Sequence, residues 1–133
     1  MTAITYKETK AITASELARV FSSSGIRRPV EDLPRLEQMI ANADIVLTAW
    51  DGDKLIGIAR ALTDYAYCCY LSDLAVDADY QKAGIGNELV KHVQARIGEE
   101  VSLVLLSAPG AMEYYPRIGF AHANNCFLIP RSR

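Results

Sequence analysis

Two glycines two residues apart, Gly84 and Gly86, lie in the segment Gln81-Lys82-Ala83-Gly84-Ile85-Gly86, between an apolar run at 71–76 and a stretch of helical periodicity. Glycine adopts backbone angles that other residues avoid, so such a segment can turn several N–H groups into one concavity. The positive end of a following helix adds to the attraction for an anion. The chemistry this suits is pyrophosphate binding, although an isolated Gly-x-Gly serves equally as a bare strand-to-helix turn, and its surroundings must decide. Other reactive groups are scattered. Cys68, Cys69 and Cys126 lack metal-ligand spacing and read as buried thiols, and no metal is expected. His92, in a helix and facing solvent, and His122 have neither a nucleophile nor a carboxylate partner by spacing.

The elements that must hold the glycine segment can be read along the chain. Ile4-Thr5-Tyr6-Lys7-Glu8 alternates as a first strand. Thr13 and Glu16 have capping-box spacing ahead of a helix with Leu17, Val20 and Phe21 on one face, which runs out at Ser22-Ser23-Ser24-Gly25. Asp32 caps a second helix with Pro34 in its first turn and a buried stripe of Leu33, Leu36, Met39 and Ile40. Runs at 45–50 and 54–62, joined by Asp51-Gly52-Asp53, form a hairpin. A long fourth strand covers 65–76, and the glycine segment follows it.

Ile85, Leu89, Val93 and Ile97 then mark a helix that stops at Gly98. The run 101–106 reads as a strand buried on both faces, 111–118 as a short helix despite Pro116, and Phe127, Leu128 and Ile129 as a last strand. The expected order is β-α-α-β-β-β-α-β-α-β-β, a mixed, mostly antiparallel α/β sheet with one βαβ crossover. The glycines fall at the carboxyl end of the crossover's first strand, where open α/β sheets bind ligands.

Bulk properties narrow the function classes. At 133 residues, 50% hydrophobic and 23% charged, the chain reads as a single domain covering 1–133 with one ordinary core. A net charge of −2 supplies no field for nucleic acid and no polybasic patch for a membrane. No apolar run approaches a membrane span and the first residues do not resemble a secretory leader, so a cytoplasmic protein is expected.

A P-loop needs Gly-x-x-x-x-Gly-Lys-Ser/Thr, which is missing, and a dinucleotide fingerprint needs a third glycine where Leu89 stands. What matches is Gln81-x-x-Gly84-x-Gly86 after a Leu-Ala-Val strand, together with Ala111-x-x-Tyr114-Tyr115-x-x-x-Gly119-Phe120. This pair of motifs resembles the Gcn5-related N-acetyltransferase (GNAT) superfamily, well from Ile45 to Phe120 and by layout only before that. The resemblance implies an enzyme that passes an acetyl group from acetyl-CoA directly to a primary amine. It implies that Leu74, Ala75 and Val76 pair with the pantetheine arm as a strand would, with the N–H of Leu74 or Ala75 polarising the thioester carbonyl. Gln81, Lys82, Ala83, Gly84, Ile85 and Gly86 would hold the pyrophosphate, with Asn87 an extra contact. Lys82 either adds charge at the rim or stays a solvated surface lysine.

By the same resemblance Tyr115 is the catalytic residue, its phenol protonating the departing thiolate, while Tyr114 packs. Pro116 departs from the charged residue common in that motif and puts the aim of Tyr115 in question. No general base is evident. Asp73 lies on the strand face opposite Leu74 and reads as a hydrogen-bonded structural residue, with water left to take the amine proton. The acceptor is expected to be a small-molecule amine bound by the two N-terminal helices, their loop and the last strands, with Arg27 and Arg28 either meeting an acidic group on it or remaining surface residues. Tyr65, Tyr67 and Tyr70 either line an amine pocket or pack the sheet. A non-catalytic acyl-CoA sensor and a protein or peptide acetyltransferase are the alternatives. The resemblance also allows a homodimer.

Overall fold

Residues 3–133 are described by a computed structural model. Helix α1 (Ala14–Ser24) starts where Thr13 completes the expected capping box. The Glu16 N–H donates to Thr13 Oγ1 at 3.0 Å and the Thr13 N–H to Glu16 Oε1 at 2.8 Å. Such a cap stabilises a helix start by about 1 kcal/mol. Gly25, at φ 83°, ends α1 in the left-handed region that glycine enters without cost. Helix α2 (Leu33–Asn42) begins at Asp32, whose carboxylate accepts from the Arg35 N–H at 3.2 Å. Leu36 and Ile40 are buried as expected, but Leu33 is exposed, because it stands at the first position of α2, ahead of the turn that meets the sheet.

Strands β1 (Ile4–Glu8), β2 (Ile45–Asp51), β3 (Lys54–Thr63), β4 (Cys68–Val76) and β5 (Ser102–Val104) form one sheet in sequence order. All neighbours are antiparallel except β4 and β5, which are parallel. Helix α3 (Ile85–Ile97) makes the crossover between those two strands and covers one face. On that face Ile45, Leu47, Ile56 and Ala59 pack against Leu89 and Val93, while on the other Val46, Leu55 and Ile58 pack against Leu17, Phe21 and Leu36. Each fully buried side chain of this size contributes roughly 1.5–3 kcal/mol. Gly57 lets α3 come close, since a Cβ there would stand 3.3 Å from Ala49, Ile85 and Leu89 side-chain atoms.

Four expectations need correction. The strand expected over 101–106 is only Ser102–Val104, at the sheet edge and partly exposed rather than buried on both faces, because it diverges from β4 after three residues. The helix expected over 111–118 is broken into a 3-10 turn, Pro109–Ala111, and a short helix α4 (Tyr114–Arg117). Pro116 is tolerated because it lies in the first turn, where its missing N–H would have no helical acceptor. Phe127, Leu128 and Ile129 form no strand and are 96%, 64% and 96% exposed, so the last two strands of the expected order are absent among the described residues. Three residues running into Pro130 offer few ladder hydrogen bonds and no helix covers them. Of the three thiols only Cys69 is buried; Cys68 faces away from the α3 core near the strand start, and Cys126 belongs to the irregular C-terminal segment.

Candidate active site

The site is built on β4. Cys68, Cys69 and Tyr70 pair with Ser102, Leu103 and Val104, and there the pairing with β5 stops. Leu71 to Val76 continue to pair with β3 on one side only. A bulge interrupts that pairing, since Arg60 faces Asp73 while Ala61 faces Leu71, leaving Ser72 as the extra residue.

The splayed strands open into two connected cavities. One, of about 590 Å³, has Lys82, Gly84, Ile85, Gly86 and Asn87 on one wall and Tyr114 and Arg117 on the other. The second, of about 610 Å³, lies between β4, the loop after α1 and the chain following β5. Leu74, Val76, Gln81, Ala111 and Tyr115 line both, so the cavities meet where β4 ends. A separate hollow of about 270 Å³ includes Tyr6 and His92, whose rings stack at 5.2 Å.

The first cavity is shaped by the start of α3. Its first backbone hydrogen bond runs from the Glu88 N–H to the Gly84 carbonyl at 3.0 Å. The N–H groups of Ile85, Gly86 and Asn87 therefore have no acceptor within the helix, and no side chain caps it. Gly84 is left-handed at φ 78°, as is Lys82 at φ 72°. The side-chain amide of Gln81 donates to the Val76 carbonyl at 3.0 Å and so ties the segment to the strand it follows. Lys82 and Arg117 supply positive charge at this cavity. These features fit an extended, doubly charged phosphate ester.

Tyr115 stands between the cavities, its ring edge-on to Tyr114 at 5.3 Å and to Phe120 at 5.6 Å. Burial raises its phenol above the ordinary value, Tyr114 raises it further, and the positive charge of Arg28 works in the opposite direction. Burial likewise raises Tyr114. Both phenols keep their protons at neutral pH, which leaves Tyr115 able to donate one.

Behind the second cavity lies a buried charge cluster. Asp73 is fully buried and lies opposite Leu74 as the alternation requires, yet it is no free base. Arg28 Nε donates to its Oδ1 at 2.5 Å, and Arg60 Nε donates to its Oδ2. Arg28 Nη2 also donates to the Ser72 carbonyl at 2.7 Å, and Arg60 Nη2 to the Ser72 hydroxyl at 2.9 Å. The bulge thus supplies the acceptors by which the loop after α1 is clamped to β4.

Every residue expected at the phosphate and pantetheine positions lines one of the cavities except Ala83, which is exposed and lines neither. Tyr114, expected only to pack, lines the first cavity with its hydroxyl against Gly86. Arg117 is a member of the site that sequence reasoning missed; its position three residues after Tyr114, on the same helix face, was the available signal. Arg28 lines the second cavity, but much of its hydrogen bonding is taken up by the protein. Tyr65 and Tyr67 line neither cavity, and Tyr65 donates its hydroxyl to the Asp44 carbonyl at 2.9 Å.

Comparisons with known proteins agree with this geometry. The family model for the acetyltransferase (GNAT) domain matches residues 15–127. The chain is 26% identical over 118 residues to an uncharacterized N-acetyltransferase ycf52 of Pyropia yezoensis, covering 84% of this chain and 66% of that protein. It spans 66% or less of the lengths of the first curated relatives it matches. A GNAT-family acetyltransferase from Streptococcus pneumoniae TIGR4 superposes with a TM-score of 0.74 at 23% identity, over 97% of this chain and 99% of that one. An aminoglycoside N-acetyltransferase solved in complex with CoA superposes with a TM-score of 0.76 at 13% identity, over 100% of this chain and 97% of that one. Carried by a match over most of its length and by the paired glycine and tyrosine motifs, the chain belongs to the GNAT acetyltransferase domain family.

Proposed function

We propose that the protein is an acetyl-CoA-dependent N-acetyltransferase acting on the primary amine of a small molecule. The observation that carries this reading is the meeting of the two cavities at Leu74, Val76 and Tyr115. One cavity offers unpaired N–H groups, Lys82 and Arg117 for a pyrophosphate, and the other offers room for an acceptor. The CoA complex of the aminoglycoside N-acetyltransferase supports the choice of donor.

In this reading the unpaired edge of β4 aligns the pantetheine arm, and a β4 backbone N–H near Leu74 stabilises charge on the thioester oxygen. Tyr115 delivers its phenolic proton to the leaving sulfur. No aspartate, glutamate or histidine lines the acceptor cavity, so the amine loses its proton to water. An acceptor cavity of about 610 Å³ is of the size that takes a small ligand, which favours a small acceptor over a folded protein surface.

Calorimetry with acetyl-CoA, followed by an amine panel read out as CoA release, tests the proposal. Binding in the micromolar range with turnover of at least one small amine is expected. Tyr115→Phe should lower kcat by about 10²-fold or more while leaving acetyl-CoA affinity within a few-fold. Failure to bind acetyl-CoA overturns the reading. Binding without turnover of any amine or peptide would make the protein a sensor, and turnover of peptides alone a protein acetyltransferase.

A further inference from the structure

The acceptor cavity has an unbalanced charge. Arg27 and Arg28 line it, and none of the residues lining it is acidic. The one carboxylate behind the wall, Asp73, is fully buried and shared by two guanidinium groups, Arg28 and Arg60. Two positive charges against one negative leave that cluster with one net positive charge. Arg27 adds another, because its side chain is exposed and has no ion-pair partner among the described residues.

Arg28 is held rather than mobile. Its Nε, Nη1 and Nη2 donate to Asp73, to the Arg27 carbonyl at 2.6 Å and to the Ser72 carbonyl. A guanidinium has five donors, so with three taken two remain, on a side chain that is still 26% exposed. Planar, fixed and partly open, it is well suited to receive a carboxylate or phosphate, and Arg27 stands next to it in the chain.

We infer that the acceptor is a small amine that carries an anionic group, a carboxylate or a phosphate, and that Arg27 with the Asp73-held Arg28 selects it. This rests on the acetyltransferase reading above and names the substrate class of the same site. A polycation such as an aminoglycoside is disfavoured here by like-charge repulsion with no carboxylate to offset it, although the fold resembles an aminoglycoside N-acetyltransferase. The same positive wall disfavours the ammonium form of a bound amine, so it helps present the neutral nucleophile in a cavity without a base.

The test uses matched acceptors with saturating acetyl-CoA: L-phenylalanine, L-phenylalaninamide and phenethylamine, then O-phosphoethanolamine against ethanolamine, with spermidine as the polycation. Expected is a kcat/KM at least about tenfold higher for the anion-bearing member of a set. The amide is the stringent control, because more of its amine is neutral near pH 8. The preference should shrink at high salt and be abolished or reversed by Arg27→Glu, with acetyl-CoA affinity unchanged. Unchanged preference in Arg27→Glu, or equal or better use of the amide, the plain amines or spermidine, overturns the inference while leaving the acetyltransferase reading intact. The first set measures carboxylate recognition and the second phosphate recognition. If no amine turns over, calorimetry of the same compounds with the CoA-saturated protein decides the point: tighter binding of the anionic members supports it, and equal binding of all members overturns it.

Discussion

The hydroxyl of Tyr114 rests against the α-carbon of Gly86, so closely that a Cβ added there would stand 2.5 Å from it. Gly86 therefore serves by being small, since its φ is not among the positive values. Gly86→Ala should push the Tyr114 ring out of the first cavity at a modest stability cost of about 1 kcal/mol, with acetyl-CoA affinity altered more than melting temperature. Tyr114→Phe, by removing the atom in conflict, should recover most of the affinity in the Gly86→Ala background. Calorimetry on the two single variants and the double variant checks this; simple additivity would refute the contact.

Gly84 is required for a different reason. It stands at φ 78° with nothing within 4 Å of an added Cβ. Gly84→Ala should lower stability by about 1–2 kcal/mol through backbone strain alone. Tyr114→Phe should not rescue it, and urea midpoints for the same pair of backgrounds give the measurement.

Asp73 holds two guanidinium groups from a fully buried position. Asp73→Asn should destabilise the protein by about 3–5 kcal/mol, because it leaves two arginine charges facing each other at the β4 bulge. The loop after α1 should become protease-sensitive at Arg27 or Arg28. A loss under about 1 kcal/mol in chemical denaturation would show that the cluster is not a structural clamp.

The turn between β3 and β4 has its own pH dependence. Asp64 accepts from the N–H groups of Tyr67 and Ala66, both at 2.8 Å, and of Cys68 at 3.1 Å. These bonds hold its carboxyl down to about 2, from an ordinary 3.8. A lowered folded-state value means the contribution is complete above about pH 4, where both states are ionised. It is lost as pH falls toward 2, because the unfolded chain takes up its proton first. Asp64→Ala should thus melt below the parent protein at pH 7, with the gap closing between pH 4 and 2. A gap that stays constant over that window counts against the assignment.

Much of the fold was legible because its signals are local. Thr13 with Glu16, Asp32 with Pro34, and the Ile85, Leu89, Val93, Ile97 spacing each specify an element by short-range chemistry. The glycine segment was legible in the same way. What escaped was set by packing: Leu33 and Cys68 are apolar, yet no neighbour covers them. The pattern of Phe127, Leu128 and Ile129 is strand-like, but no partner strand pairs with it. The Arg28–Asp73–Arg60 cluster joins residues distant in sequence, and no periodicity announces such a contact.

The extra residue at Ser72 inverts the phase of β4 halfway along. Before it Cys69 and Leu71 point to the α3 side; after it Leu74 keeps to that side while Asp73 and Ala75 point to the other. Strict alternation from Leu71 would have driven the carboxylate of Asp73 into the α3 core, away from both arginines. One strand thereby serves two faces: its first half keeps Cys69 and Leu71 in the α3 core, and its second half turns Asp73 toward both arginines.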